Sequence, residues 1–178
     1  MRVSRCFRGS PGRVRATVVF VAALLLLLGA WRSAPPGFGV SAPLQAAEPG
    51  MAQAEVVIAG QTIRLDVADS PELMARGLGG RAHLAPDRGM VFVYAERSRQ
   101  RFWMLDMRIP LDIIWLDNGR VVHIEHDVPP PAPGTAPADL PTYEPEAEAN
   151  LVLELAAGRA RALGLKRGQR LEFRFNLP

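Results

Sequence analysis

A chain of 178 residues has room for one domain of ordinary size plus a targeting segment. Its formal net charge of +3 suggests a phosphate-binding protein only until the charges are located: Arg2, Arg5, Arg8, Arg13, Arg15 and Arg32 precede the domain, whereas from Glu55 onward 15 basic residues meet 17 acidic ones. A slightly acidic domain offers no broad field to DNA or RNA, and the one cysteine, Cys6, lies upstream of it, which excludes a disulfide, a thiolate metal site and a cysteine nucleophile there.

Residues 2–15 are rich in arginine, and residues 16–31 are apolar apart from Thr17. Charge followed by an apolar run is the pattern of an export signal. The run falls short of the roughly 20 residues of a spanning helix but is long for a signal core, so a cleaved signal and a retained anchor both stay open. No cysteine follows it to carry a lipid, and no Arg-Arg pair precedes it. In either case the positive flank stays inside and the domain faces the periplasm, held at the inner membrane through residues 16–31 if uncleaved. Residues 32–54, rich in Pro, Gly and Ala, read as a linker, and the domain occupies residues 55–178.

Within the domain, residues 55–58 and 62–67 read as two strands joined by a tight turn at Ala59-Gly60-Gln61. Thr62, Arg64 and Asp66 alternate with Ile63, Leu65 and Val67, which predicts a wet face and a core face. Ser70-Pro71-Glu72 starts a short helix that stops at Gly77. Strands are expected over 90–94, from Phe102, over 111–116 and over 121–127, the last two joined by the turn Asp117-Asn118-Gly119-Arg120. Residues 128–149 carry seven prolines, and a structureless loop of that length in a compact domain is either functional or disordered. A strand over 151–155, a short helix over 158–163 and a strand over 170–175 close the chain, with Leu171, Phe173 and Phe175 toward the core. The expected fold is mainly β: an antiparallel β-sandwich or partly open barrel with two short helices, behind the N-terminal signal or anchor.

The segments ELMARGLGGRAHL, GMVFVY, RFWMLDM, IPLDIIWLD, VVHI and LVLELAAG…LGLKRGQRLEF, in this order, resemble the bacterial and archaeal family known as domain of unknown function 192. The resemblance covers about residues 55–175. It implies a mainly-β, sandwich-like domain, often behind an export signal, and no established activity. Relatives usually read Phe-Trp-Met-Lys-Asn-Thr where this chain has Phe102-Trp103-Met104-Leu105-Asp106-Met107, so a site needing those polar groups is altered here. The cysteines that some relatives carry in the loop after the hairpin are missing from residues 129–145.

Asp112 stands in an otherwise apolar strand, where a carboxylate must be paired, hydrogen-bonded or protonated. It is either a tuned acid, base or ligand, or a structural group accepting backbone N–H bonds or pairing with Arg76 or Arg81; the structural reading is favoured, because such pairs also perturb titration. Asp106 and Asp112 are the candidate catalytic pair of a hydrolase. His123 and Glu125 share one strand face and His126 points to the other, so the two histidines do not converge on a metal. Met90, Met104 and Met107 admit a copper-binding alternative, although methionine more often fills gaps in a core. Trp103 and Trp115 are either core or an aromatic surface. No nucleophile elbow, zinc-helix motif or phosphate loop occurs, and no residue set asks for a cofactor or a metal. The leading expectation is a non-enzymatic binding module of the cell envelope. Its candidate surface holds Arg76, Arg81, Trp103, Asp106 and Asp112, and its partner is a small molecule or an envelope protein.

Overall fold

The computed structural model describes residues 51–176. The export segment expected over 1–31, and all but the end of the linker expected over 32–54, lie outside the described residues. Among those described, nine strands and two short α-helices follow in order: β1 (Gln53–Ile58), β2 (Gln61–Ala68), α1 (Pro71–Arg76), β3 (Arg88–Ser98), β4 (Phe102–Trp103), β5 (Leu111–Asp117), β6 (Arg120–Val128), β7 (Thr142–Tyr143), β8 (Ala149–Ala156), α2 (Arg159–Ala162) and β9 (Phe173–Asn176). Seven strands form one sheet in the order β6-β5-β8-β3-β2-β1-β9, and β4 and β7 form a second, two-stranded sheet. The fold is therefore mainly β with two short helices, and the sheet is not closed into a barrel. Most neighbours run antiparallel, but β2 and β3 are parallel. A parallel pair requires a crossover rather than a hairpin, and α1 lies in that connection.

Local chemistry sets the ends of these elements. Ser70 Oγ accepts from Leu73 N at 3.3 Å, and Pro71 opens α1, so the helix begins where its first donors find a partner. Asn118 (φ 48°) and Gly119 (φ 80°) are both left-handed, as a two-residue hairpin turn demands. Gly119 is also held by space: a Cβ there would sit 2.6 Å from the Leu171 carbonyl oxygen.

The large sheet is covered on both faces, which explains the unbroken burial of 111–116. On one face Ile63, Leu65, Ile114 and Leu153 pack with Ala160, Leu163 and Leu171 from the α2 region and the C-terminal segment. On the other, Met90, Phe92, Trp115 and Val152 pack with Leu78, Leu84, Phe102 and Met104. Phe92, Phe102 and Trp115 meet edge to face, with ring centroids 4.9 and 5.9 Å apart, and Trp115 Nε1 donates to the Gln100 carbonyl at 2.8 Å. Each such side chain contributes roughly 1.5–3 kcal/mol on burial. Met90, Met104 and Met107 are all buried in this second cluster.

Two expectations change. Asp66 does not face water; it is fully buried. The alternation of β2 holds as far as Leu65, but beyond it both faces are covered and Asp66, Val67 and Ala68 are all buried. The core pattern of the last strand holds for buried Leu171 and half-buried Phe173 but lapses at exposed Phe175, where β9 is the sheet edge. The proline-rich segment is tied into the domain: Tyr143 pairs with Phe102 and Thr142 with Trp103, and Arg99 Nη2 donates to the Glu146 carbonyl at 2.9 Å.

Candidate functional site

A row of neighbours runs across the sheet, Asp66 to Met90 to Glu154 to Ile113, each opposite the next on adjacent strands. Opposed residues share a face, so this row places two carboxylates on the Met90–Trp115 side. Asp66 is fully engaged there. Arg81 Nη2 donates to Oδ2 at 2.7 Å, Arg88 Nη2 to Oδ1 at 3.0 Å, and Gln53 Nε2 to Oδ1 at 3.0 Å. Losing one partner of such a pair strands the other charge.

Glu154 differs. It is 6% exposed, and its Oε2 is buried with no hydrogen-bond partner. Burial pushes its carboxyl up from 4.5 to about 8, against the opposing pull of Arg81. At neutral pH it is therefore mostly an uncharged acid, with a proton to donate. Tyr94 is pushed up to about 12, first by burial and then by Glu154. The second influence operates only when Glu154 is ionised.

Glu154 and Tyr94 line a small pocket of about 120 Å³, together with Arg76, Arg101 and the indole of Trp103. Trp103 is 60% exposed, although its neighbour Phe102 is buried. A β-strand turns successive side chains to opposite sides, so pairing of β4 with β7 sends Phe102 inward and Trp103 outward. Beside this pocket lies a cleft of about 850 Å³, walled by Arg76, Gly79, Asp106 and Arg108 and by the proline-rich segment at 131–135. Arg76 belongs to both.

The cleft wall depends on close backbone packing. The Gly80 N–H donates to the Asp106 carbonyl at 2.9 Å, and a Cβ on Gly79 would lie 2.9 Å from the Arg76 carbonyl oxygen. Asp106 itself is left-handed, with φ 56°. Asn and Asp tolerate that region better than other side-chain-bearing residues. The Asp here meets that backbone requirement.

Asp112 is elsewhere. It lies opposite Leu155 and packs on the Ile114–Leu153 side. It has no exposed surface. Its Oδ1 accepts from Asp127 N at 2.9 Å and its Oδ2 from Ala160 N at 2.7 Å, with His126 Nδ1 at 3.7 Å. Of the sequence candidates, the structure brings Arg76, Asp106 and Trp103 to adjoining walls, holds Arg81 on the buried Asp66, and separates Asp112 from all of them. Asp106 and Asp112 therefore do not flank one ligand, and the hydrolase pair has no geometric basis. His123 Nε2 meets Glu125 Oε1 at 3.0 Å, whereas His126 faces Asp112. Among the described residues, no three His, Cys, Asp or Glu side chains converge as a metal site.

Glu154 and Tyr94 are absent from the sequence candidates. The available signal was the one that Asp112 gave, a carboxylate flanked by Leu153 and Leu155 inside an apolar strand. Tyr94 had no comparable signal.

Two solved structures share the fold. One is a protein of unknown function from Novosphingobium aromaticivorans DSM 12444, 27% identical, with TM-score 0.61 over 78% of this chain and 99% of that one. The other, described as a candidate transcription regulator from Sinorhizobium meliloti 1021, is 25% identical, with TM-score 0.60 over 72% of this chain and 97% of that one. No curated protein matches the chain. The profile of the family DUF192, described as "Uncharacterized ACR", matches residues 54–173. The chain belongs to the DUF192 family.

Proposed function

We propose that this protein is an exported module of the cell envelope that binds a ligand without covalent chemistry, in the cleft and pocket on either side of Arg76. One observation carries the reading. Residues distant in sequence, Arg76 and Asp106, wall a single cleft of about 850 Å³, and the exposed Trp103 lines the pocket that adjoins it. A concave surface with a few polar groups and an exposed aromatic is the usual form of a small-molecule site. Export rests on the arginine-rich start and the apolar run over 16–31. The regulator description of one structural neighbour is not adopted, because the domain's acidic balance gives no field for nucleic acid.

The test uses the full chain expressed in a Gram-negative host. Protease added to intact spheroplasts should reach the domain, and small molecules released by denaturing the purified protein should be depleted in the Trp103→Ala and Arg76→Ala variants. A domain shielded until the inner membrane is lysed would end the export reading. Identical small-molecule content in all three proteins would end the binding reading.

A further inference from the structure

We infer that the pocket over Glu154 is a carboxylate subsite, which takes the acid end of a small molecule whose apolar body lies against Trp103. This rests on the binding reading above and names its ligand class. Three observations lead to it. First, Glu154 Oε2 is a buried polar atom without a partner, on a side chain lining a pocket. Buried polar atoms are nearly always satisfied, and an orphan at a pocket wall is where a ligand atom would complete the set. Second, the other charged groups lining this pocket are Arg76 and Arg101, both cationic. An anion is the charge that such a lining accepts. Third, the pocket is small. At about 120 Å³ it is far smaller than the adjoining cleft of about 850 Å³. That admits a carboxylate and its first carbon, and leaves a ring or chain outside, beside the exposed indole.

An uncharged Glu154 donates one O–H to a carboxylate oxygen, and an arginine supplies the compensating charge. An ionised Glu154 repels the same ligand. The groups sharing its surroundings are Arg81 with Asp66 and Arg88, Tyr94 on β3, Arg76 on α1 and Arg101 ahead of β4. His123 and Glu125 on β6 lie farther along the same face, beyond Ile113 and Trp115. Replacing Glu154 alone separates its titration from theirs.

The probes are hydrocinnamate, its amide, phenethyl phosphate, and the peptide acetyl-Gly-Phe with a free or amidated end, titrated into the full chain by calorimetry. Hydrocinnamate should bind at about pH 6 and weaken at least about tenfold by about pH 9, whereas Glu154→Gln, which keeps a donor and cannot ionise, should bind equally at both. Trp103→Ala should weaken binding with the pH profile unchanged. Tighter binding of the free-ended peptide than of hydrocinnamate would assign the carboxylate to a peptide end; the reverse would assign it to a free small acid. The inference is overturned if the amide or the phosphate binds as well as the acid, or if Glu154→Gln follows the wild-type pH profile. If no carboxylate binds while Trp103→Ala still loses a co-purifying molecule, the subsite falls and the wider binding reading stands.

Discussion

Two buried carboxylates on opposite faces of the sheet, carried by neighbouring strands, have opposite fates. Asp112 on β5 and Glu154 on β8 each interrupt an apolar run, and each is buried. Asp112 is closed over by the chain: the Asp127 and Ala160 amides take both its oxygens. Glu154 keeps an oxygen without a partner beside a pocket, and burial raises its carboxyl to about 8. The difference comes from the covering layer and not from the strand. Over Asp112 the end of β6, where its register with β5 shifts, and the start of α2 present N–H groups at bonding distance. Over Glu154 the cover is made of α1 and the segment around β4, which leave a space.

The contrast breaks most sharply by removing the satisfied acid. Asp112→Ala strands two N–H groups, one of them in a buried contact, at about 1–3 kcal/mol each. Urea unfolding should show a loss of roughly 2–5 kcal/mol, and a near-neutral result would mean that Asp112 is not the anchor of that face. Asp66→Ala should be comparably damaging, at about 3–5 kcal/mol, because Arg81 and Arg88 lose their shared carboxylate.

Glu154 should behave in the opposite way. Its folded-state value is raised, so the folded protein holds the proton more tightly than the unfolded chain does. The stability linked to that proton is fully present below about pH 4.5, declines as the pH rises toward about 8, and is then level. The decline is on the order of a few kcal/mol. Glu154→Gln should flatten this part of the denaturation profile, and a Gln variant with the wild-type slope would place the titration elsewhere. The smallest effect is expected at the pocket mouth: Trp103→Ala should change stability by no more than about 0.5 kcal/mol. A larger loss would mean that the indole is packing and not a ligand surface.

Local rules reached much of the fold. Ser70-Pro71 marked α1, Asn118-Gly119 marked the β5–β6 turn, and the apolar run 111–116 marked a strand covered on both faces. Asp112 was legible as a group in need of partners, and backbone amides, one of the foreseen alternatives, provide them. Asp66 was not legible, because period-two alternation assumes that one face of β2 stays wet along its whole length. The cover beyond Leu65 is a tertiary fact. The parallel β2–β3 pair was hidden for the same reason: strand direction follows the path of the connection, not the pattern within a strand. The lining of the candidate pocket and cleft was legible only in part. Arg76, Trp103 and Asp106 could be named, but Glu154 was masked by a strand whose other residues so plainly read as core.

The strand order carries one more consequence, for when this domain can form. The pairs β1–β2, β2–β3 and β5–β6 involve strands close in sequence, but in the sheet the two halves they build meet through β8, which lies between β3 and β5. Until residues 149–156 have been synthesised, no sheet can span the molecule. Contacts of such long sequence separation slow folding, so a growing chain stays open until nearly its last strand. The centre of the sheet, and the acid it carries, therefore comes into being only after the strands on either side of it have been made.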